Sequence, residues 1–309
     1  MRTRLIGLLI VLLTPVGALA ACDPPRCVDV EVPLPAGVSV PSNTVRILLP
    51  VDYDPVGTRY PVLYLLHGAG DTYATWTERT DVQAFSADFP VIIVMPDCGH
   101  DAEAGFYSDW IDGSRQWDTF HTRVLMKYID RNFATLHSRR HRAVAGLSMG
   151  GFGAMSYAAR HHHLFHAAAS FSGAVDSLYP TPITNILFVH GTVAPGIWGD
   201  PTTHESVWRA HNPTDLAGRL RDVVLFVASG DGAHGGPAGE DPTGGLGGYI
   251  TEAFIKAMNL DFAHALDAAG VPYNTDFYKG GYHGWPYWQR ELHWSLPQIM
   301  SLIGPAHRR

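Results

Sequence analysis

Three kinds of side chain in this sequence could together perform nucleophilic chemistry at a carbonyl carbon. They are a serine set among glycines, a histidine in a late glycine-rich turn, and a carboxylate between the two. Ser148 is the centre of Gly146-Leu147-Ser148-Met149-Gly150-Gly151. Residues 142–146 before it read as a buried strand, and residues 152–160 after it read as a helix. A Gly-x-Ser-x-Gly pattern in that setting predicts a sharp elbow in which a Cβ at the flanking positions would collide. The turn lifts the serine hydroxyl to the top of the sheet at a helix N-terminus. There the helix dipole and the free N–H of Met149 face the place where an oxyanion would develop.

A serine hydroxyl is a poor nucleophile at neutral pH, so it needs a base, and the base needs a carboxylate to hold it. Of 17 histidines, His283 is singled out by position. It lies in Gly280-Gly281-Tyr282-His283-Gly284-Trp285, a turn directly after the last expected strand. For the acid, Asp231 follows the expected strand 223–227, Asp241 stands in the next loop, and Glu252 opens a long helical segment. Spacing alone leaves the three open. His67 ends an apolar run and precedes Gly68-Ala69-Gly70-Asp71. That loop is expected to supply a second oxyanion donor, the backbone N–H of Ala69, with His67 lining the site. The run His161, His162 and His163 falls at the end of the elbow helix, where imidazoles can meet the last carbonyls. Three adjacent side chains on a helix do not converge on one point, so no metal site is expected there. The chemistry requires no cofactor.

Short apolar runs alternate with helical segments along the chain. Strand-length runs occupy 28–32, 44–50, 61–66, 91–95, 142–146, 168–171, 186–189, 223–227 and 273–278. Helical spacing marks 119–133, 152–160, 250–269 and 294–303. Strands that are unbroken rather than alternating predict a sheet covered on both faces, an α/β architecture. No internal repeat or linker divides residues 22–309, so one domain is expected. The Gly/Pro-rich tract 229–248 reads as a rim or lid loop.

The first 21 residues read as a secretory signal peptide. Arg2 and Arg4 precede the apolar run 5–13, which is too short to span a membrane, and small residues follow for cleavage. The formal charge is −7 over 309 residues, and removing those two arginines makes it two units more negative. An acidic chain has no electrostatic reason to bind nucleic acid or anionic lipid. Export permits a disulfide among Cys22, Cys27 and Cys98, with Cys22–Cys27 and Cys27–Cys98 both open. Leu19-Ala20-Ala21-Cys22 also matches a lipoprotein signal, in which Cys22 would carry a lipid anchor.

With these residues in place, the chain resembles the esterase D-like branch of the α/β-hydrolases, which includes secreted mycolyltransferases and S-formylglutathione hydrolases. The resemblance runs from Val45 to the last helix. Its landmarks are Tyr64-Leu65-Leu66-His67-Gly68, Phe106-Tyr107-Ser108-Asp109-Trp110, the Ser148 elbow, and His283-Gly284-Trp285-Pro286-Tyr287-Trp288. It implies an α/β-hydrolase fold with a mostly parallel central sheet and helices on both faces. It implies Ser148 as nucleophile, His283 as base, and the Ala69 and Met149 N–H groups as oxyanion donors, with His67 and Trp285 at the substrate. Glu252-Ala253-Phe254-Ile255-Lys256, followed by Asn259 and Phe262, resembles the segment that bears the catalytic glutamate in the mycolyltransferases. That favours Glu252 as the acid. The esterase D enzymes use an aspartate nearer the strand, which keeps Asp231 as runner-up.

The chain also departs from the mycolyltransferases. They carry aspartate at the position of His67, and an arginine that helps hold the sugar acceptor shortly after the position of Ala69. Here Gly70 and Asp71 follow Ala69. The resemblance therefore implies a secreted serine carboxylic-ester hydrolase acting on a small-molecule, lipid or sugar ester. One alternative is acyl transfer to a sugar or cell-envelope alcohol. Another is a non-catalytic protein, associated with the cell envelope, that binds through a rim of Trp110, Trp117, Trp198, Trp285 and Trp288.

Overall fold

Val62–Leu66 reads Val-Leu-Tyr-Leu-Leu, and all five residues are buried. A strand with no polar side must be covered on both faces, and the neighbouring strands repeat the pattern. In the computed structural model, which describes residues 22–180, 196–241 and 245–304, eight strands form one sheet. They are β1 (Cys27–Glu31), β2 (Thr44–Leu48), β3 (Val62–Leu66), β4 (Ile92–Pro96), β5 (Arg142–Leu147), β6 (Ala167–Phe171), β7 (Val224–Ser229) and β8 (Tyr273–Phe277). The order is β1-β2-β4-β3-β5-β6-β7-β8. β2 runs antiparallel to both neighbours, and every pairing from β4 to β8 is parallel. This is the mostly parallel sheet expected from the sequence. The expected leader 1–21 and strand 186–189 lie outside the described residues.

Side chains alternate across the sheet into two cores. Val62, Tyr64 and Leu66 face one, and Leu63 and Leu65 face the other. Helices α2 (Met126–Asn132), α3 (Met149–Arg160) and α4 (Gly245–Ala269) cover the first face through Ile129, Phe152, Met155, Ile255, Met258, Phe262 and Leu266. Helices α1 (Thr75–Arg79) and α5 (Trp285–Ile303) cover the second through Trp76, Leu292, Leu296, Ile299 and Ile303. Leu296 alone, fully buried, contributes about 1.5–3 kcal/mol of transfer free energy.

All four expected helices begin earlier than their spacing suggests, α3 at Met149 rather than 152 and α4 at Gly245 rather than 250. α5 begins at Trp285, not at 294, because Pro286 occupies the first turn, where its missing N–H costs nothing. The expected helix 119–133 begins at Trp117, and its stretch Phe120–Leu125 is wound as a π-helix before α2.

Cys22 and Cys27 form a disulfide, which ties the lead-in to β1. Cys98 is a free, buried thiol, so the alternative Cys27–Cys98 pairing is not made. A lipid thioether on Cys22 would need the sulfur that this disulfide uses.

Candidate active site

β5 ends at Leu147 and α3 begins at Met149, so Ser148 alone makes the turn, at φ 50° and ψ −115°. Positive φ at a residue with a Cβ costs roughly 1–3 kcal/mol, and the surroundings must hold it there. They do so through the backbone. Ser148 N–H donates to Phe171 O at 2.9 Å, and Ser148 O accepts from Phe152 and Ala174. The two glycines are required by close approach. A Cβ on Gly146 would stand 2.5 Å from the Gly150 backbone, and one on Gly150 would stand 2.5 Å from Leu66 O. Without those methyls the end of β3 presses against the elbow.

His283 arrives from the turn after β8. Its Nε2 lies 2.9 Å from Ser148 Oγ, and its Nδ1 lies 2.8 Å from Glu252 Oε2. The histidine side chain is 13% exposed and the glutamate 1%. With the proton on Nδ1 donating to Glu252, Nε2 is free to accept the serine proton.

Glu252 lies on the apolar face of α4, in line with Ile255, Asn259 and Phe262. A buried carboxylate is costly unless it is hydrogen-bonded. Its second oxygen, Oε1, accepts from Ser172 Oγ at 2.7 Å, Gly230 N at 2.8 Å and Ser229 Oγ at 3.2 Å. Asn259, two turns on, donates to Gly173 O and holds the segment that carries Ser172. Neither serine was singled out from the sequence. The available signal was a polar residue at the carboxyl end of each of two apolar strands.

The other candidate acids lie elsewhere. Asp231 Oδ1 accepts from Gly280 N at 2.7 Å and Ala233 N at 3.0 Å, so it braces the turn leading to His283. Asp241 lines the cleft. Among the described residues, the N–H groups of Ala69 and Met149 have no protein acceptor. Ala69 also lines the cleft with Ser148.

That cleft has a volume of about 620 Å³. Its walls include Asp71, Arg79, Ile255, Tyr282, Trp285 and Trp288. Burial pushes the Asp71 carboxyl above its ordinary pKa, against the opposing effect of the Gly68 N–H it accepts. Trp285 packs edge-on against Trp76 and Trp288, and Trp288 packs edge-on against His283.

Two expectations are corrected here. His67 does not line the cleft. Its ring is 1% exposed and lies behind the Gly68-Ala69 loop, because both ring nitrogens are engaged by backbone. The tryptophan rim does not assemble either. Trp117 and Trp198 are core residues, and Trp110 packs beneath Arg115, which leaves Trp285 and Trp288 at the cleft.

Below the site, Glu291 of α5 is fully buried. Its Oε1 accepts the Tyr278 hydroxyl at 2.6 Å, and Oε2 has no partner among the described residues. Burial first, and then the charge of Glu252, push its pKa well above the ordinary carboxylate range. In the unfolded chain it reverts to an ordinary carboxyl. Between the two values the folded state binds the extra proton, so stability falls as pH rises from the unfolded pKa toward the folded one. Glu291→Gln removes that titration. Its melting temperature is expected to fall less than that of the unmodified protein between about pH 5 and about pH 8. Parallel melting curves across that range would show that Glu291 does not titrate as argued.

The chain is similar to known proteins in sequence and in fold. A family model described as "Putative esterase" matches residues 41–299. Esterase Rv1288 of Mycobacterium tuberculosis (strain ATCC 25618 / H37Rv) is 34% identical over 250 residues, which are 77% of this chain and 52% of that protein. The chain thus spans about half the length of that relative. Diacylglycerol acyltransferase/mycolyltransferase Ag85B of Mycobacterium leprae (strain TN) is 28% identical over 284 residues, 86% of this chain and 83% of that one. Among solved structures, a ferulic acid esterase superposes with a TM-score of 0.68 at 26% identity, covering 90% of this chain and 98% of its own.

Proposed function

The chain belongs to the esterase family whose model it matches, and from that premise we propose that it is a secreted serine carboxylic-ester hydrolase working through an acyl-enzyme on Ser148. The observation that carries the reading is the unbroken line from Ser148 Oγ to His283 Nε2, and from His283 Nδ1 to Glu252 Oε2. Ser148 Oγ attacks the ester carbonyl as His283 takes its proton. The carbonyl oxygen becomes an oxyanion, held by the N–H groups of Ala69 and Met149. Collapse expels the alcohol, which takes the proton from His283. Water then attacks the acyl-serine by the same route, with His283 again as base and then as acid. Glu252 keeps the imidazole proton on Nδ1 and stabilises the imidazolium.

Export is supported by the leader-like residues 1–21 and by the Cys22–Cys27 disulfide. Among the described residues no helix is long and apolar enough to cross a membrane.

A second reading, acyl transfer to an alcohol, is favoured by the likeness to Ag85B. Hydrolysis is preferred on two grounds. Identity to Esterase Rv1288 is higher, and Gly70 and Asp71 replace the acceptor-binding arginine region. Turnover of p-nitrophenyl butyrate in the presence of excess glycerol or trehalose separates the two. Free butyrate is expected as the main product, while a predominance of butyryl-glycerol or butyryl-trehalose would replace hydrolysis by transfer.

A further inference from the structure

Both ring nitrogens of His67 are engaged by backbone, yet the mechanism above gives it no part. Its Nε2 lies 2.9 Å from the backbone nitrogen of Cys98, and its Nδ1 lies 2.7 Å from Gly68 O. The Cys98 N–H can only donate, so Nε2 must accept. The ring proton therefore sits on Nδ1 and is donated to Gly68 O. The nearest charged group is the Asp97 carboxylate, 3.5 Å from Nε2, and it also accepts the Gly99 N–H.

The Gly68 carbonyl belongs to the same peptide unit as the Ala69 N–H. That unit is planar, and in a trans peptide its C=O and N–H point in opposite directions. Whatever grips the carbonyl therefore aims the N–H. Gly68 O is held by the His67 ring and by Asp71 N–H at 3.2 Å. The neighbouring carbonyls are held too. Leu66 O accepts from Trp76 Nε1, His67 O from the Tyr107 hydroxyl, and Ala69 O from Asp101 N–H. Every carbonyl from 66 to 69 is thus occupied, and the Ala69 N–H is left without a protein acceptor at the wall of the cleft.

We propose that His67 is a positioning residue for the oxyanion hole. Its neutral ring clamps the end of β3 to the loop after β4 and turns the Gly68–Ala69 peptide so that the Ala69 N–H points at the developing oxyanion. The inference rests on the acyl-enzyme reading above. A preorganised donor is valuable because it costs no reorganisation during reaction, and loss of one such donor lowers kcat by on the order of 10²–10³-fold.

The two ring contacts can be separated by substitution. An asparagine amide reaches about as far as Nδ1, so His67→Asn keeps a donor to Gly68 O and loses the acceptor for Cys98. A glutamine reaches about as far as Nε2, so His67→Gln keeps the acceptor and loses the donor. With p-nitrophenyl butyrate, His67→Asn is expected to keep kcat within about threefold. His67→Gln should lose on the order of 10²-fold in kcat with KM little changed. The melting temperatures of the two variants should be similar, because each removes one buried hydrogen bond. Equal kcat losses in both variants, or losses that track melting temperature, would assign His67 a purely structural role and overturn the proposal. An inactive unmodified protein would instead reject the esterase reading, and this inference with it.

Discussion

Ser148→Ala is expected to lower turnover of a p-nitrophenyl ester by on the order of 10⁴-fold or more, and to abolish labelling by a fluorophosphonate. The substitution removes one oxygen and nothing else that shapes the elbow. The turn is held by main-chain bonds to Phe171, Phe152 and Ala174, and by the close approach of Gly146 and Gly150 to their neighbours. Alanine keeps the Cβ, so the backbone strain at φ 50° is unchanged. Stability should therefore stay within about 0.5 kcal/mol, typical of a substitution that creates no cavity and buries no unpaired charge. His283 loses its acceptor-side partner at Nε2 but remains tied to Glu252 through Nδ1. A folded variant without turnover places the loss in the chemical step. Activity that survives in pure, folded Ser148→Ala protein would end the acyl-enzyme reading, since among the described residues no other hydroxyl lies within hydrogen-bond reach of His283 Nε2.

Much of the scaffold was legible because the physics that writes it is local. Buried parallel strands must be apolar throughout, and a strand forced into a helix through one residue must be flanked by glycines. β5 and the elbow could therefore be read directly. The support of the site was less legible because it is assembled across the sheet. Ser172 and Ser229 reach Glu252 from the ends of β6 and β7, and no spacing along the chain announces that meeting. His67 shows the same limit in reverse. A histidine at a strand end beside glycine looks alike in sequence whether it faces the cleft or turns inward to hold backbone. What decides is the Cys98 N–H, 31 residues away. For Glu252 there was a physical signal besides family resemblance. Glu252, Ile255, Asn259 and Phe262 share one helical face, and a carboxylate on an otherwise apolar face must have partners there.

Glu252→Gln is expected to reduce turnover by on the order of 10²–10⁴-fold, whereas Asp231→Asn should cost less than about tenfold. The first change is nearly isosteric, so its effect comes from hydrogen. As a carboxylate, Glu252 Oε2 can only accept, which fixes the imidazole proton on Nδ1. The other oxygen takes three donors, from Ser172, Ser229 and Gly230. In the glutamine variant those three donors select the amide oxygen for the Oε1 place. The NH₂ group is thereby turned toward His283. Facing a donor, the imidazole must present a bare Nδ1 and carry its proton on Nε2. The nitrogen opposite Ser148 Oγ then cannot accept a proton, and the imidazolium formed in the transition state loses its counter-charge. Asp231 works differently. It holds the turn through Gly280 N and Ala233 N, and both bonds end on Oδ1, which asparagine retains. Its loss of charge is felt by a loop and not by the reacting atoms. Steady-state kcat for the two purified variants on p-nitrophenyl butyrate, with melting temperatures as the control for folding, decides between them. A larger loss in Asp231→Asn than in Glu252→Gln would move the role of acid to the loop after β7, and would leave the 2.8 Å contact between Glu252 and His283 a structural pairing without catalytic weight.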